Sequence, residues 1–77
     1  MEWQNAGRLA ISRHCRATKS NIFTRRELIK NQMDRIIADT RSKGATPEQT
    51  LSRVLQELRD AKEIEFIDDH GTYCKLF

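Results

Sequence analysis

The apolar residues of this chain fall into three helical stripes followed by a short alternating segment. Leu51, Val54, Leu55 and Leu58 recur at i, i+3, i+4 and i+7, which puts them on one face of a helix. The residues ahead of that stripe form a helix start. Thr46 supplies an N-cap acceptor, Pro47 suits the first helical position, and Gln49 completes a capping box with Thr46. Leu28, Ile29, Met33, Ile36 and Ile37 mark a second helix upstream. Thr24-Arg25-Arg26-Glu27 is a capping box at its start, and Phe23 and Leu28 have hydrophobic-staple spacing. The pattern carries this helix to about Ser42, with Gly44 as a left-handed cap and Arg41 and Lys43 near the negative end of its dipole.

Residues 4–17 read as the first helix. Ala6, Leu9, Ala10, Arg13 and Ala17 favour it, and Leu9, Ile11 and Cys15 form a narrow apolar stripe. Trp3 is expected to pack at its start as a core anchor. Thr18-Lys19-Ser20-Asn21 is a polar turn, and Ile22-Phe23 is either one brief strand or a plug in the core. Gly44-Ala45 links the second and third helices closely enough for a helix-turn-helix.

After Asp60-Ala61-Lys62-Glu63 the period changes. Ile64-Glu65-Phe66-Ile67 and Thr72-Tyr73-Cys74-Lys75-Leu76-Phe77 are β-prone, and Asp68-Asp69-His70-Gly71 between them is a tight turn in which Gly71 can take positive φ. Helix, short strand, helix, turn, helix and hairpin is the order of an α+β winged helix-turn-helix, with the hairpin as the two-stranded wing and the short strand as a third. The expected core is Leu9, Phe23, Leu28, Met33, Ile36, Ile37, Leu51, Val54, Leu55, Leu58, Ile64 and Phe66.

Seventy-seven residues suffice for one small domain and leave no room for a large catalytic cleft. Met1-Glu2-Trp3 leads almost directly into structure, which suits a domain excised from a longer protein. The chain has neither a membrane-length apolar run nor a signal-peptide core, so a cytoplasmic location is expected. Cys15 and Cys74 make no disulfide framework, and His14, Cys15, His70 and Cys74 lack zinc-ligand spacing, so neither metal nor cofactor is expected. His14 and His70 have no nucleophile partner and read as surface residues. No carboxylate pair with a following lysine suggests a nuclease site, so the chain reads as a binding domain rather than an enzyme.

Charge sharpens the picture. Residues 1–43 hold ten Lys/Arg against four Asp/Glu, whereas residues 44–77 hold four against seven. A basic half points to an anionic partner, with nucleic acid first. On the third helix, Gln49, Arg53 and Gln56 face away from the aliphatic stripe, with Ser52 beside them. Thr46, Gln49, Thr50, Ser52, Arg53 and Gln56 are the candidates for base edges in a major groove. Arg25, Arg26, Arg41, Lys43 and Lys75 are the candidates for phosphates. The alternatives are a winged helix used for protein contact and a regulator that reads unmethylated DNA.

Leu55-Gln56-Glu57-Leu58-Arg59-Asp60-Ala61-Lys62-Glu63-Ile64-Glu65-Phe66, followed by Gly71-Thr72-Tyr73-Cys74-Lys75-Leu76, resembles the C-terminal winged helix of DpnI-type methyl-directed restriction endonucleases, the Dam-replacing family. Ile22-Phe23-Thr24 resembles that family's strand leading into its second helix, so the likeness spans about residues 22–77. The resemblance implies a reader of double-stranded DNA that senses N6-methyladenine in a GATC-type context, with any nuclease in a separate domain of a parent protein. The chain departs from the family at the wing tip, where Asp68-Asp69-His70 stands in place of basic residues, and at Gly44-Ala45-Thr46-Pro47, where the family has an Asn-rich approach.

Overall fold

Thr24 is both the end of a strand and the cap of a helix, and the architecture follows from that. In the computed structural model, which describes every residue except Ala45 and Asp69, the elements run α1 (Trp3–Thr18), β1 (Ile22–Thr24), α2 (Arg25–Thr40), α3 (Pro47–Asp60), β2 (Ile64–Phe66) and β3 (Thr72–Lys75). The strands form one antiparallel sheet in the order β1-β3-β2. Phe23 and Phe66 both lie opposite Tyr73 in the register. Three helices with a three-stranded sheet make this an α+β winged helix-turn-helix.

The start of α2 forms as its sequence directs. Thr24 Oγ1 accepts from the Glu27 amide at 3.0 Å, and Glu27 Oε1 accepts from the Thr24 amide at 3.0 Å. The box satisfies two amides that the helix leaves unpaired. The other end differs from expectation. Helix α2 stops at Thr40, and Arg41 rather than Gly44 takes the left-handed cap at φ 54. The last inward residues are Ile36 and Ile37, so no burial sustains a further turn. The Arg41 and Ser42 amides both close onto the Ile37 carbonyl.

Helix α3 begins at Pro47 as expected, but the Thr46 cap does not form. Thr46 has ψ 62 and its side chain makes no cap bond, so the box with Gln49 is absent. At Thr24 the corresponding ψ is 156, which aims the hydroxyl at the helix amides. Thr46 contributes its carbonyl instead, accepting from the Thr50 amide at 3.2 Å. Ala45, the other half of the expected Gly44-Ala45 link, lies outside the described residues.

The core gathers Phe23, Leu28, Met33, Ile36, Leu51, Val54, Leu55, Leu58 and Ile64, as the stripes predict, and adds Ala6, Ala10, Ile11 and Cys15 from α1. Leu9 is not in it and is 43% exposed. Helix α1 packs through Ala6, Gly7, Ala10, Ile11, His14 and Cys15, and Leu9 falls outside that face. A Cβ added at Gly7 would stand 3.1 Å from Val54 Cγ1, so α1 approaches α3 over a surface of small residues. His14, expected at the surface, is buried on this face, its Nε2 3.7 Å from Glu27 Oε2. Ile37 is only partly buried. Phe66 is also more exposed than expected, at 39%. It packs edge-on against Tyr73 at 5.4 Å, and Tyr73 stacks on Phe23 at 5.5 Å.

Two arginines tie α1 to its neighbours. Arg8 grips Glu63 at the base of the hairpin with two bonds of 2.6 and 2.8 Å. Arg13 donates to Gln32 at 2.9 Å and lies 3.7 Å from Asp39, both on α2. The Arg8 guanidinium holds the Glu63 carboxyl below its ordinary value of 4.5.

The caps predict a contrast. Thr24→Ala should destabilise the fold by about 1 kcal/mol, whereas Thr46→Ala should stay within about 0.5 kcal/mol of wild type in urea unfolding. Equal costs would contradict the difference between the two helix starts. Glu63 predicts the acid limb of stability. A carboxylate whose pKa is lowered on folding contributes in full above its unfolded value and loses that contribution as pH falls through the folded value. Below pH 4.5, wild type should therefore lose stability more steeply than Arg8→Gln, measured by urea midpoints at stepped pH. Parallel slopes would contradict the assignment.

Candidate nucleic-acid interface

With Leu51, Val54, Leu55 and Leu58 turned inward, α3 presents Gln49, Arg53 and Gln56 to solvent, and all three are exposed. Arg53 pairs with Glu57 at 2.9 Å, one turn further along the helix. Glu57 also accepts from Gln4 Nε2 at 3.0 Å. That bond first, and Arg53 second, hold the Glu57 carboxyl below its usual range. Exposed pairs of this kind contribute little to stability, so Arg53 can leave Glu57 for a better partner at small cost.

Thr50 and Ser52 are engaged within the fold. Thr50 Oγ1 donates to the Thr46 carbonyl at 3.3 Å. Ser52 Oγ donates to the Glu48 carbonyl at 3.2 Å and accepts from Arg25 Nε at 2.7 Å. Bonds of this kind hold a side chain against its own helix. Thr46 is exposed at the start of α3.

Arg25 has the most connections of the basic candidates. Its side chain reaches Ser52 and the Glu48 carbonyl on α3, and its amide donates to the Gly71 carbonyl at the wing turn at 3.0 Å. One residue at the start of α2 thus joins the helix-turn-helix to the wing. Arg26 is exposed beside it. Arg41 and Lys43 are exposed in the connection between α2 and α3. Lys75 is placed elsewhere. It ends β3, its amide donates to the Asn21 carbonyl at 2.7 Å, and it lines a cavity with α1 residues. It lies three positions along β3 from Thr72 at the wing turn, about 10 Å of strand.

Arg59 belongs with this surface and was not among the candidates. Its guanidinium lies 6.0 Å from the Phe66 ring centroid, between α3 and the wing. Its spacing carried the signal, since Arg59 follows Gln56 by three residues and Ser52 by seven.

The wing turn has a structural use for an acid. Asp68 Oδ1 accepts from the amides of His70 at 2.8 Å and Thr72 at 3.4 Å, and these bonds, the His70 one first, lower its pKa. Gly71 takes φ 78, as the turn requires. Asp69, the middle of the expected Asp68-Asp69-His70 turn, lies outside the described residues. His70 is exposed at this turn while His14 and Cys15 are buried on the inner face of α1, and among the described residues no His/Cys/Asp/Glu group is placed to hold a metal. Both cysteines are free, and burial pushes the Cys15 thiol upward. Among the described residues no helix is long and apolar enough to cross a membrane.

Searches against protein-family models, curated proteins and solved structures found no match for this chain.

The bridging role of Arg25 predicts that Arg25→Ala lowers stability by about 1 kcal/mol in urea unfolding. Arg25→Lys should recover less than half of that, because an ammonium cannot reproduce the guanidinium fork. A neutral Arg25→Ala would show that the bridge contributes nothing.

Proposed function

We propose that this chain binds double-stranded DNA through α3 and reads N6-methyladenine in a GATC-type context, serving as the sensor module of a methyl-directed restriction system in the cytoplasm. The observation that carries DNA binding is the outward face of α3. Gln49, Arg53 and Gln56 stand exposed on α3, with Arg26 at the start of the adjoining α2 and Arg41 and Lys43 just past its end. Arginine pairs with guanine and glutamine with adenine through two parallel hydrogen bonds in the major groove. Arg26, Arg41 and Lys43 then neutralise phosphates and fix the register without choosing sequence. Arg25 braces α3 against the wing, and Arg59 reaches from α3 to the Phe66 ring of the wing.

The methyl specificity rests on the likeness of residues 55–66 and 71–76, with Ile22-Phe23-Thr24, to the DpnI-type winged helix. The N6 methyl of adenine projects into the major groove, where the aliphatic stem of Arg53 or the methyl group of Thr46 can touch it. The chain is a binding domain, and cleavage belongs to a separate nuclease domain.

A protein-contact role has one observation in its favour. Glu48, Glu57 and Asp60 outnumber Arg53 and Arg59 on α3, so the helix itself is slightly acidic.

Three matched duplexes carrying a GATC site, unmethylated, methylated on one strand and methylated on both, separate these readings. The proposal expects tighter binding to the methylated duplexes and a steep loss of affinity as salt rises. Arg53→Ala should weaken binding to the methylated site by about 1–3 kcal/mol while leaving the fold intact. Equal binding to all three would remove the methyl specificity, and no binding at low salt would favour protein contact.

A further inference from the structure

A second basic site lies away from α3, at the C-terminal end of α1. A cavity of about 390 Å³ opens there, lined by Ser12, Cys15, Arg16, Lys19, Ser20, Asn21 and Lys75. Three of these residues are cationic, two carry hydroxyls and one carries a carboxamide. The described lining includes no carboxylate. Neither Arg16 nor Lys19 forms an ion pair among the described residues.

A helix C-terminus ordinarily repels anions because its carbonyls point outward unpaired. Here the Cys15 carbonyl accepts from the Lys19 amide, from the Ser20 amide at 3.1 Å and from Thr18 Oγ1 at 3.4 Å. Those bonds satisfy one carbonyl of the last turn. Lys19 adopts φ 57 and turns the chain back toward β1. Ser20 Oγ accepts from the Ile22 amide at 3.0 Å, which fixes the hydroxyl and leaves its proton to donate. The Lys75 amide is held by the Asn21 carbonyl at 2.7 Å, which anchors β3 against the rim. The Lys75 ammonium donates to the Phe77 carbonyl and lies 4.8 Å from that ring, and a flexible stem lets it exchange this carbonyl for a stronger acceptor.

We propose that this cavity binds a terminal phosphate monoester. A dianion suits three cations with no competing acid, and several hydroxyl and amide donors match its acceptor oxygens. The volume lies within the range of small-molecule pockets and exceeds that of a bare phosphate. The site is separate from the α3 surface, so its occupancy does not depend on DNA binding there.

The test follows backbone amide resonances of the intact chain during titration with AMP, inorganic phosphate and adenosine. AMP and phosphate should give saturable shifts at Ser12, Arg16, Lys19, Ser20, Asn21 and Lys75, and adenosine should give none. The double variant Arg16→Gln, Lys19→Gln should weaken AMP binding by about tenfold or more at an unchanged thermal midpoint, since both side chains are exposed. A parallel titration compares an oligothymidylate with and without a 5′-phosphate. Saturation by AMP assigns a small molecule as the source, whereas saturation only by the phosphorylated strand assigns a strand end to the same phosphate site. The proposal is overturned if neither AMP nor the phosphorylated strand moves these resonances, if adenosine binds as well as AMP, or if the folded double variant binds AMP like wild type.

Discussion

The strand-to-helix junction at Thr24-Arg25 is the constraint on which the rest of the molecule depends. Thr24 closes β1 in the sheet and caps α2 through two reciprocal bonds. One residue later, the Arg25 amide binds the wing turn and its side chain binds α3. Sheet, second helix, third helix and wing are therefore set relative to one another by two adjacent residues. Phe23, fully buried just before them, adds the packing that holds the junction down. A small domain has few such points, because it buries little surface and each connection carries a large share of its stability.

Large apolar residues at helical spacing made α2 and α3 legible. Leu51, Val54, Leu55 and Leu58 are buried because one face of a 3.6-residue period has a single place to go. Helix α1 was less legible because it packs through alanine, glycine and a histidine. Pattern reading weights bulk, so it chose Leu9, whereas close approach to α3 selected Gly7 and Ala10. The caps show the same limit. Thr24 and Thr46 sit in equivalent sequence motifs, but only one has the backbone angle that aims its hydroxyl at the helix. Such angles come from the surrounding fold and cannot be seen in a four-residue motif.

The outward face of α3 was readable for the same reason as its core face, since fixing one fixes the other. Arg25 and Lys75 were not separable in sequence. Both are cations near strand ends, yet strand register carries one to the wing turn and the other to the C-terminal end of α1. The basic surplus of residues 1–43 also shrinks once paired groups are set aside. Arg8 and Arg13 bond to Glu63, Gln32 and Asp39, and Arg25 braces α3. The charge left for an anionic partner divides between the helix-turn-helix and the cavity beside Arg16 and Lys19. An acidic wing turn is compatible with this division, because the Asp68 carboxylate is turned onto the backbone of its own hairpin.

The central claim is that α3 meets a duplex with the face bearing Gln49, Arg53 and Gln56. Mapping amide and side-chain resonances on addition of a doubly methylated GATC duplex tests this directly. The account predicts saturable shifts concentrated at Gln49, Arg53 and Gln56, with Arg26 and the wing turn beside them. Shifts that leave Gln49, Arg53 and Gln56 unmoved, or that are confined to the cavity at the end of α1, would contradict it.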